Sequence, residues 1–236
     1  MKLYKKEEDF SYSIGAFPTL ELLMQRFAQV ETIFVSPRAW QSEGVQKIKK
    51  LAGDKIRIEE NEGLLRKLVK TENHFAAAVF RKYDCELSPT ENHLCLVNPD
   101  DMGNLGTIIR TMLGFGVKDL AIIKPGADIF DPRVIRASMG AIFKINFKYF
   151  PDFESYQREF SRQYYPFMTT SAIDLTNVRF SKPATLIFGN EGAGLAPQFA
   201  EVGQAVKIGQ TKDIDSLNLS IAAAIGLREL YEQKID

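Results

Sequence analysis

From residue 93 onward the sequence carries a series of short, unbroken apolar runs: "HLCLVN", "LAIIKP", "FMTTSA", "ATLIFG" and "AVKIG". Stretches with helical spacing separate them, at 104–115, 131–139, 152–163 and 216–234. A strand that is apolar along its whole length has both faces buried, and the helices between such strands are what cover them. The alternation predicts an α/β fold built on a parallel sheet. No internal repeat, low-complexity tract or heptad interrupts it.

Residues 17–80 alternate in the same way on a smaller scale. "PTLELLMQRFAQ" starts with Pro18, suited to a first helical turn, and places Leu20, Leu23, Met24 and Phe27 on one face. "TIFVS" reads as a strand, "SEGVQKIKKLAG" as a helix closed by Gly53, and "KIRIEE" as a second strand. "NEGLLRKLVK" is helical in pattern and "HFAAAVF" is a third apolar run. "RKYDCELSPTEN" (81–92) is polar, aperiodic and contains a proline, so it reads as a linker between a domain at 1–88 and one at 89–236.

A chain of 236 residues with zero net charge is no bulk binder of nucleic acid, although a local basic surface remains open. No apolar run approaches the roughly 20 residues that a membrane-spanning helix needs, and "MKLYKKEEDFSYS" lacks the apolar core of a signal peptide. Cys85 and Cys95 have no metal-like spacing, so a reduced, cytoplasmic setting with no metal is the expectation.

Three blocks carry the chemistry. In "TLIFGNEGAGL" (185–195), Gly189, Gly192 and Gly194 follow a strand, so a ligand or a neighbouring segment lies against bare backbone there. No lysine follows, which excludes a Walker loop, and the order G-x-x-G-x-G reverses the dinucleotide fingerprint. Glu191 at the mouth repels phosphate, so the loop suits an uncharged or cationic ligand. In "VNPDDMGNLGTIIRTMLGFGV" (97–117) a strand runs into a helix beginning near Asn104. Ile108, Ile109, Met112 and Phe115 form its buried stripe, and Arg110 sits near the strand end, where ligands of open sheets collect. In "VKIGQTKDIDSLNLSIAAAIGLREL" (206–230) a helix begins around Ser216, a good N-cap residue. Its run of Ala222, Ala223, Ala224 and Gly226 permits close backbone approach within the chain or across a dimer.

These blocks resemble motifs 1, 2 and 3 of the SpoU family, the TrmH-like branch of the SPOUT methyltransferases. The pattern N-x-G-x-x-x-R is matched by Asn104, Gly106 and Arg110, and G-x-E-G-x-G by Gly189, Glu191, Gly192 and Gly194. S-L-N-x-S is matched by Ser216, Leu217, Asn218 and Ser220. "RASMGAIFKINF" (136–147) resembles the family's connecting segment, and the likeness covers about 95–235. It implies a C-terminal SPOUT domain with a deep trefoil knot, a homodimer, and S-adenosyl-L-methionine as methyl donor to an RNA ribose 2′-hydroxyl.

By family position, Gly189, Glu191, Gly192, Ile208, Leu217, Asn218 and Thr169 or Thr170 would hold the cofactor. Arg110, Asn104, Glu191, Ser216 and Asn218 would serve transfer, and Arg133, Arg136 and Lys144 would supply phosphate contacts. The N-terminal third is similar to a ribosomal-protein-L30e-like RNA-binding domain. It departs from the family at His74-Phe75-Ala76, where His-Gln-Gly is usual, and Gly209 stands where many relatives carry proline. Ribosomal RNA is the preferred target over transfer RNA. One rival reading is a non-catalytic RNA-binding protein with a vestigial transferase domain, against which stands the full set of polar motif residues; a second is a methyltransferase of a small molecule, which would leave the N-terminal domain without a purpose.

Overall fold

The computed structural model describes residues 4–68 and 75–233. In chain order its elements begin with β1 (Phe10–Ile14), α1 (Ala16–Gln25), β2 (Val30–Val35), α2 (Glu43–Ala52), β3 (Arg57–Glu60), α3 (Glu62–Leu68) and β4 (Ala76–Arg81). They continue with β5 (His93–Val97), α4 (Met102–Gly114), β6 (Asp119–Ile123), α5 (Pro132–Ala137), β7 (Asn146–Phe150) and α6 (Phe153–Glu159). β8 (Gln163–Pro166), β9 (Ala184–Phe188) and α7 (Leu219–Glu232) complete the chain. Among the described residues no helix is long and apolar enough to cross a membrane.

The chain divides into two compact units that a single cut at residue 88 does not reproduce. One comprises Met1–Tyr83 with Asp128–Lys144, the other Asp84–Ala127 with Ile145–Asp236. In the first, a sheet runs β1-β4-β2-β3, with β4 antiparallel to β1 and β2, and β2 parallel to β3. Central β4 begins with three fully buried alanines, Ala76, Ala77 and Ala78. Ser42 caps α2 by accepting from the Val45 N–H at 3.4 Å, and Gly53 ends it with φ 54°.

Segment 128–144 packs into this unit through particular contacts. Ser11 Oγ donates to the Phe130 carbonyl at 2.5 Å, and Phe80 meets the Phe143 ring edge-on at 5.4 Å. A Cβ on Gly140 would lie 2.9 Å from that of Glu21, so only glycine fits against α1 there. β1 lies outside the apolar runs of the sequence, since Phe10, Tyr12 and Ile14 alternate with Ser11 and Ser13. Ser11 and Ser13 are fully buried and hydrogen-bonded, Ser13 with Thr19 Oγ1 at 2.9 Å. His74 lies outside the described residues.

The second unit holds the predicted parallel sheet, in the order β7-β6-β5-β9-β8 with every pairing parallel. β5, β6 and β9 lie where the apolar runs put them. The other two runs are corrected. The strand near "FMTTSA" is the preceding Gln163–Pro166, an edge strand whose buried residues are Tyr164, Tyr165 and Pro166. "AVKIG" makes only isolated bridges, Val206 to Phe167 and Lys207 to Asp174. β7, read only as part of a connecting segment, is the opposite edge, where Asn146 and Lys148 break the apolar run.

Beneath the sheet lies a buried polar chain. His93 is fully buried, with Nε2 donating to the Ser88 carbonyl at 2.6 Å and Nδ1 accepting from the Tyr156 hydroxyl at 2.9 Å. Tyr156 Oη in turn accepts from Thr185 at 2.7 Å. Burial, with the Arg162 guanidinium nearby, brings the His93 pKa from 6.5 down to about 4. Between those values the unfolded chain binds a proton that the folded chain refuses. Folding free energy is therefore expected to fall by about 3 kcal/mol as pH drops from 6.5 to 4, and to be fully present above 6.5. Urea unfolding of the wild type and of His93→Gln at pH 7 and pH 4.5 checks this. The variant should lose much less between the two pH values, and equal losses would refute the assignment to His93.

Candidate functional site

In the five-stranded sheet the strand order reverses between β5 and β9, and ligands of open α/β sheets bind at the carboxyl ends of such a pair. Both glycine- and asparagine-bearing loops leave from those ends. The chain after β9 turns through Gly189–Leu195, and the chain after β5 turns at Asn98, which takes a left-handed φ of 53° before entering α4. Asp101 caps α4, accepting from the Asn104 N–H at 2.6 Å, so this helix starts at Met102 rather than at Asn104.

Side chains brace the two loops together. Asn190 Nδ2 donates to the Asn98 carbonyl at 2.8 Å and to Asp100 Oδ2 at 2.9 Å. Its Oδ1 accepts from the Gly192 N–H at 2.9 Å and the Ala193 N–H at 3.2 Å. Glu191 accepts from the backbone N–H of Asp100 and Asp101, each at 3.2 Å, and from Asn104 Nδ2 at 3.3 Å. Asn104 Oδ1 accepts from Asn218 Nδ2 at 3.2 Å, which joins the third block to the first two. Asn218, not Ser216, is the N-cap of α7, its Oδ1 accepting from the Ser220 N–H at 2.8 Å. An amide accepts through its oxygen while its nitrogen reaches a second partner, a pairing that a serine hydroxyl is too short to span.

Behind the braces is a cavity of about 380 Å³. Of the sequence candidates, Thr169, Gly189, Glu191, Gly192, Ile208, Ser216 and Leu217 line it. Asn104 and Asn218 flank it through the hydrogen bonds above. Arg110 does not line it. It lies on the exposed face of α4 with Gly103, Thr107 and Gly114, opposite the buried Leu105, Ile108, Ile109 and Met112. Among the described residues Arg110 takes no hydrogen-bond or ion-pair partner.

Two features set the cavity's chemistry. A Cβ on Gly189 would lie 2.1 Å from the Gly194 carbonyl carbon and 2.3 Å from the Leu195 nitrogen, so main chain passes directly over main chain. Among the described residues lining the cavity, two are acidic, Glu191 and Asp215, and none is lysine, arginine or histidine. Such a wall disfavours a polyphosphate and favours a neutral or cationic ligand. Farther out, a Cβ on Gly209 would stand 3.0 Å from Asp174 Oδ2, the end of a side chain that can move aside.

Of the residues expected to contact phosphate, two are paired within their own unit. Arg133 pairs with Asp131 at 2.7 Å and Lys144 with Glu21 at 2.7 Å, while Arg136 is exposed on α5. All three belong to the first unit. Asn190, Asp101 and Asp215 escaped the sequence reading. Asn190 sits inside the glycine loop and Asp101 directly precedes a helix, and both positions are open signals for loop-bracing and capping residues.

Comparison with known proteins places these features. The SpoU rRNA Methylase family matches residues 91–228. An uncharacterized tRNA/rRNA methyltransferase of Synechocystis sp. is 31% identical over 145 residues, covering 60% of this chain and 53% of the relative. A 23S rRNA (uridine(2479)-2′-O)-methyltransferase of Streptomyces viridochromogenes is 29% identical over 146 residues, covering 58% and 51%. The chain thus spans about half the length of these curated relatives. The crystal structure of an AdoMet-bound rRNA methyltransferase from Sinorhizobium meliloti superposes with a TM-score of 0.75 at 26% identity, covering 95% of this chain and 87% of that one.

Proposed function

We propose a function on the premise that this chain belongs to the SpoU rRNA Methylase family. It transfers a methyl group from S-adenosyl-L-methionine to a ribose 2′-hydroxyl of structured RNA, ribosomal rather than transfer RNA. The observation that carries this reading is the cation-free, glycine-floored cavity at the switch point of the sheet. The residues present fit the cofactor, which has an uncharged adenine and a net positive charge. When bound, it supplies an electrophilic methyl group on a sulfonium.

The chain's own residues do the rest. Gly189, Ile208 and Leu217 frame the adenosine by main-chain contact, with Thr169 beside them. Arg110 is a fixed cation, since a guanidinium does not give up its proton in proteins. It binds the phosphate beside the target ribose and stabilises negative charge developing on the hydroxyl oxygen. Asn104, Glu191, Ser216 and Asn218 hold the three loops in register, so that positioning supplies much of the rate.

The same reading includes a homodimer, supported by Ile221 and Ile225 one turn apart on α7 and 52% and 36% exposed. It includes a trefoil knot, supported by the return of Val206 and Lys207 to pair with Phe167 and Asp174 after the glycine loop. The first unit binds RNA, and the protein works in the cytoplasm. Mapping 2′-O-methyl positions in ribosomal and transfer RNA with and without the gene tests the proposal. At least one ribosomal position should lose its methyl group. If none changes, and the purified chain binds RNA but passes no labelled methyl group to it, the protein is a binder and the enzyme reading fails.

A further inference from the structure

The cavity wall carries two carboxylates, and only one of them is committed. Glu191 accepts three hydrogen bonds from Asp100, Asp101 and Asn104, so its oxygens serve the loop braces. Asp215 is different. Its backbone carbonyl accepts from Gln210 Nε2 at 3.0 Å, which folds the 210–215 turn, but among the described residues its carboxylate takes neither a hydrogen bond nor an ion pair. Asp215 is exposed to solvent, and a carboxylate standing free at the wall of a cavity that no described lysine, arginine or histidine lines is positioned to meet a positive group on the ligand.

We propose that Asp215 holds the cationic amino group of the methionyl arm of S-adenosyl-L-methionine, and so distinguishes S-adenosyl ligands from adenosine compounds lacking that arm. The inference rests on the cofactor reading given above. An ammonium has three N–H donors and a compact charge, which match a carboxylate directly. A sulfonium has no N–H or O–H donor and offers only its charge. On that reading the uncharged Gly189 and Leu217, which also line the wall, take the adenosine. Adenine recognition and arm recognition are therefore separable, the first by main chain and the second by one side chain.

Isothermal calorimetry on the full-length protein separates the alternatives. The probes are S-adenosyl-L-methionine, S-adenosylhomocysteine (which keeps the amino group but has no sulfonium charge) and methylthioadenosine (which has neither). Asp215→Asn should weaken the first two by about tenfold each and leave the third unchanged, the loss of one charge-assisted hydrogen bond. Asp215→Glu should recover part of the affinity. Asp213→Asn, in the same exposed turn but off the cavity wall, should change none of the three and controls for the charge of the loop.

Weakening of S-adenosyl-L-methionine alone would assign Asp215 to the sulfonium and overturn the proposal. Equal weakening of all three, or of none, would overturn it as well. If the wild type binds none of the three probes, the cofactor reading itself falls. That result is distinct from a wild type that binds and a variant that fails to discriminate.

Discussion

Arg110→Ala is expected to lower methyl transfer to RNA by roughly a thousandfold, the size of effect seen when one preorganised charge-stabilising donor is removed. Affinity for S-adenosyl-L-methionine should stay within twofold, because Arg110 does not line the cavity. Stability should change little. The side chain is exposed, has no partner among the described residues, and alanine is the better helix former. An arginine that makes no contact in its own fold and faces outward between Gly103, Thr107 and Gly114 is available to something outside it. Arg110→Lys keeps the charge but loses the planar fork that grips a phosphate through two bonds, and should recover little of the rate. Single-turnover transfer with labelled cofactor, read beside calorimetry, decides the matter. A lysine variant close to wild-type rate would refute any role that needs the guanidinium, and an alanine variant that fails to bind cofactor would move Arg110 from transfer to binding.

The second large effect belongs to Gly189. Its Cβ position is occupied by main-chain atoms of Gly194 and Leu195 at 2.1–2.3 Å, and backbone has no rotamer by which to retreat. Gly189→Ala should therefore push the loop after β9 off the strand end. We expect a stability loss of about 3 kcal/mol, the upper part of the overpacking range, and no measurable cofactor binding. Gly192→Ala is the matched control, since a Cβ there meets only Asn190 Oδ1, at an ordinary 3.5 Å. It should cost under about 1 kcal/mol. Denaturant midpoints and calorimetry on both variants provide the check. Similar behaviour of the two would mean that the crossing of main chains does not matter.

The difference between these glycines shows what a sequence discloses. The pattern of 189–194 announces a close backbone approach, and the sheet at the centre is legible because β5, β6 and β9 are apolar apart from His93, Asp119 and Thr185, the mark of strands covered on both faces. Which glycine is crossed by main chain depends on where Leu195 returns, and that is settled by the fold. Edge strands were the least visible, since β7 and β8 mix lysine, asparagine, glutamine and tyrosine with their apolar residues. The three functional blocks could be placed in one site, but the braces that join them run from Asn190 to Asn98 and from Asn218 to Asn104. Each spans more than ninety residues, and no local pattern encodes such partners. The assignment of α5 to the first unit is of the same kind, because it rests on long-range packing against β1.

That assignment affects how the protein is to be taken apart. The small unit is sewn from two separate lengths of chain, and the ring of Phe80 rests on Phe130 and Phe143 from the second length. A fragment ending in the 81–92 linker would leave those aromatic faces wet and the underside of α1 bare. A graft meant to exchange specificity between relatives must carry residues 128–144 along with 1–83, or it transplants half a core.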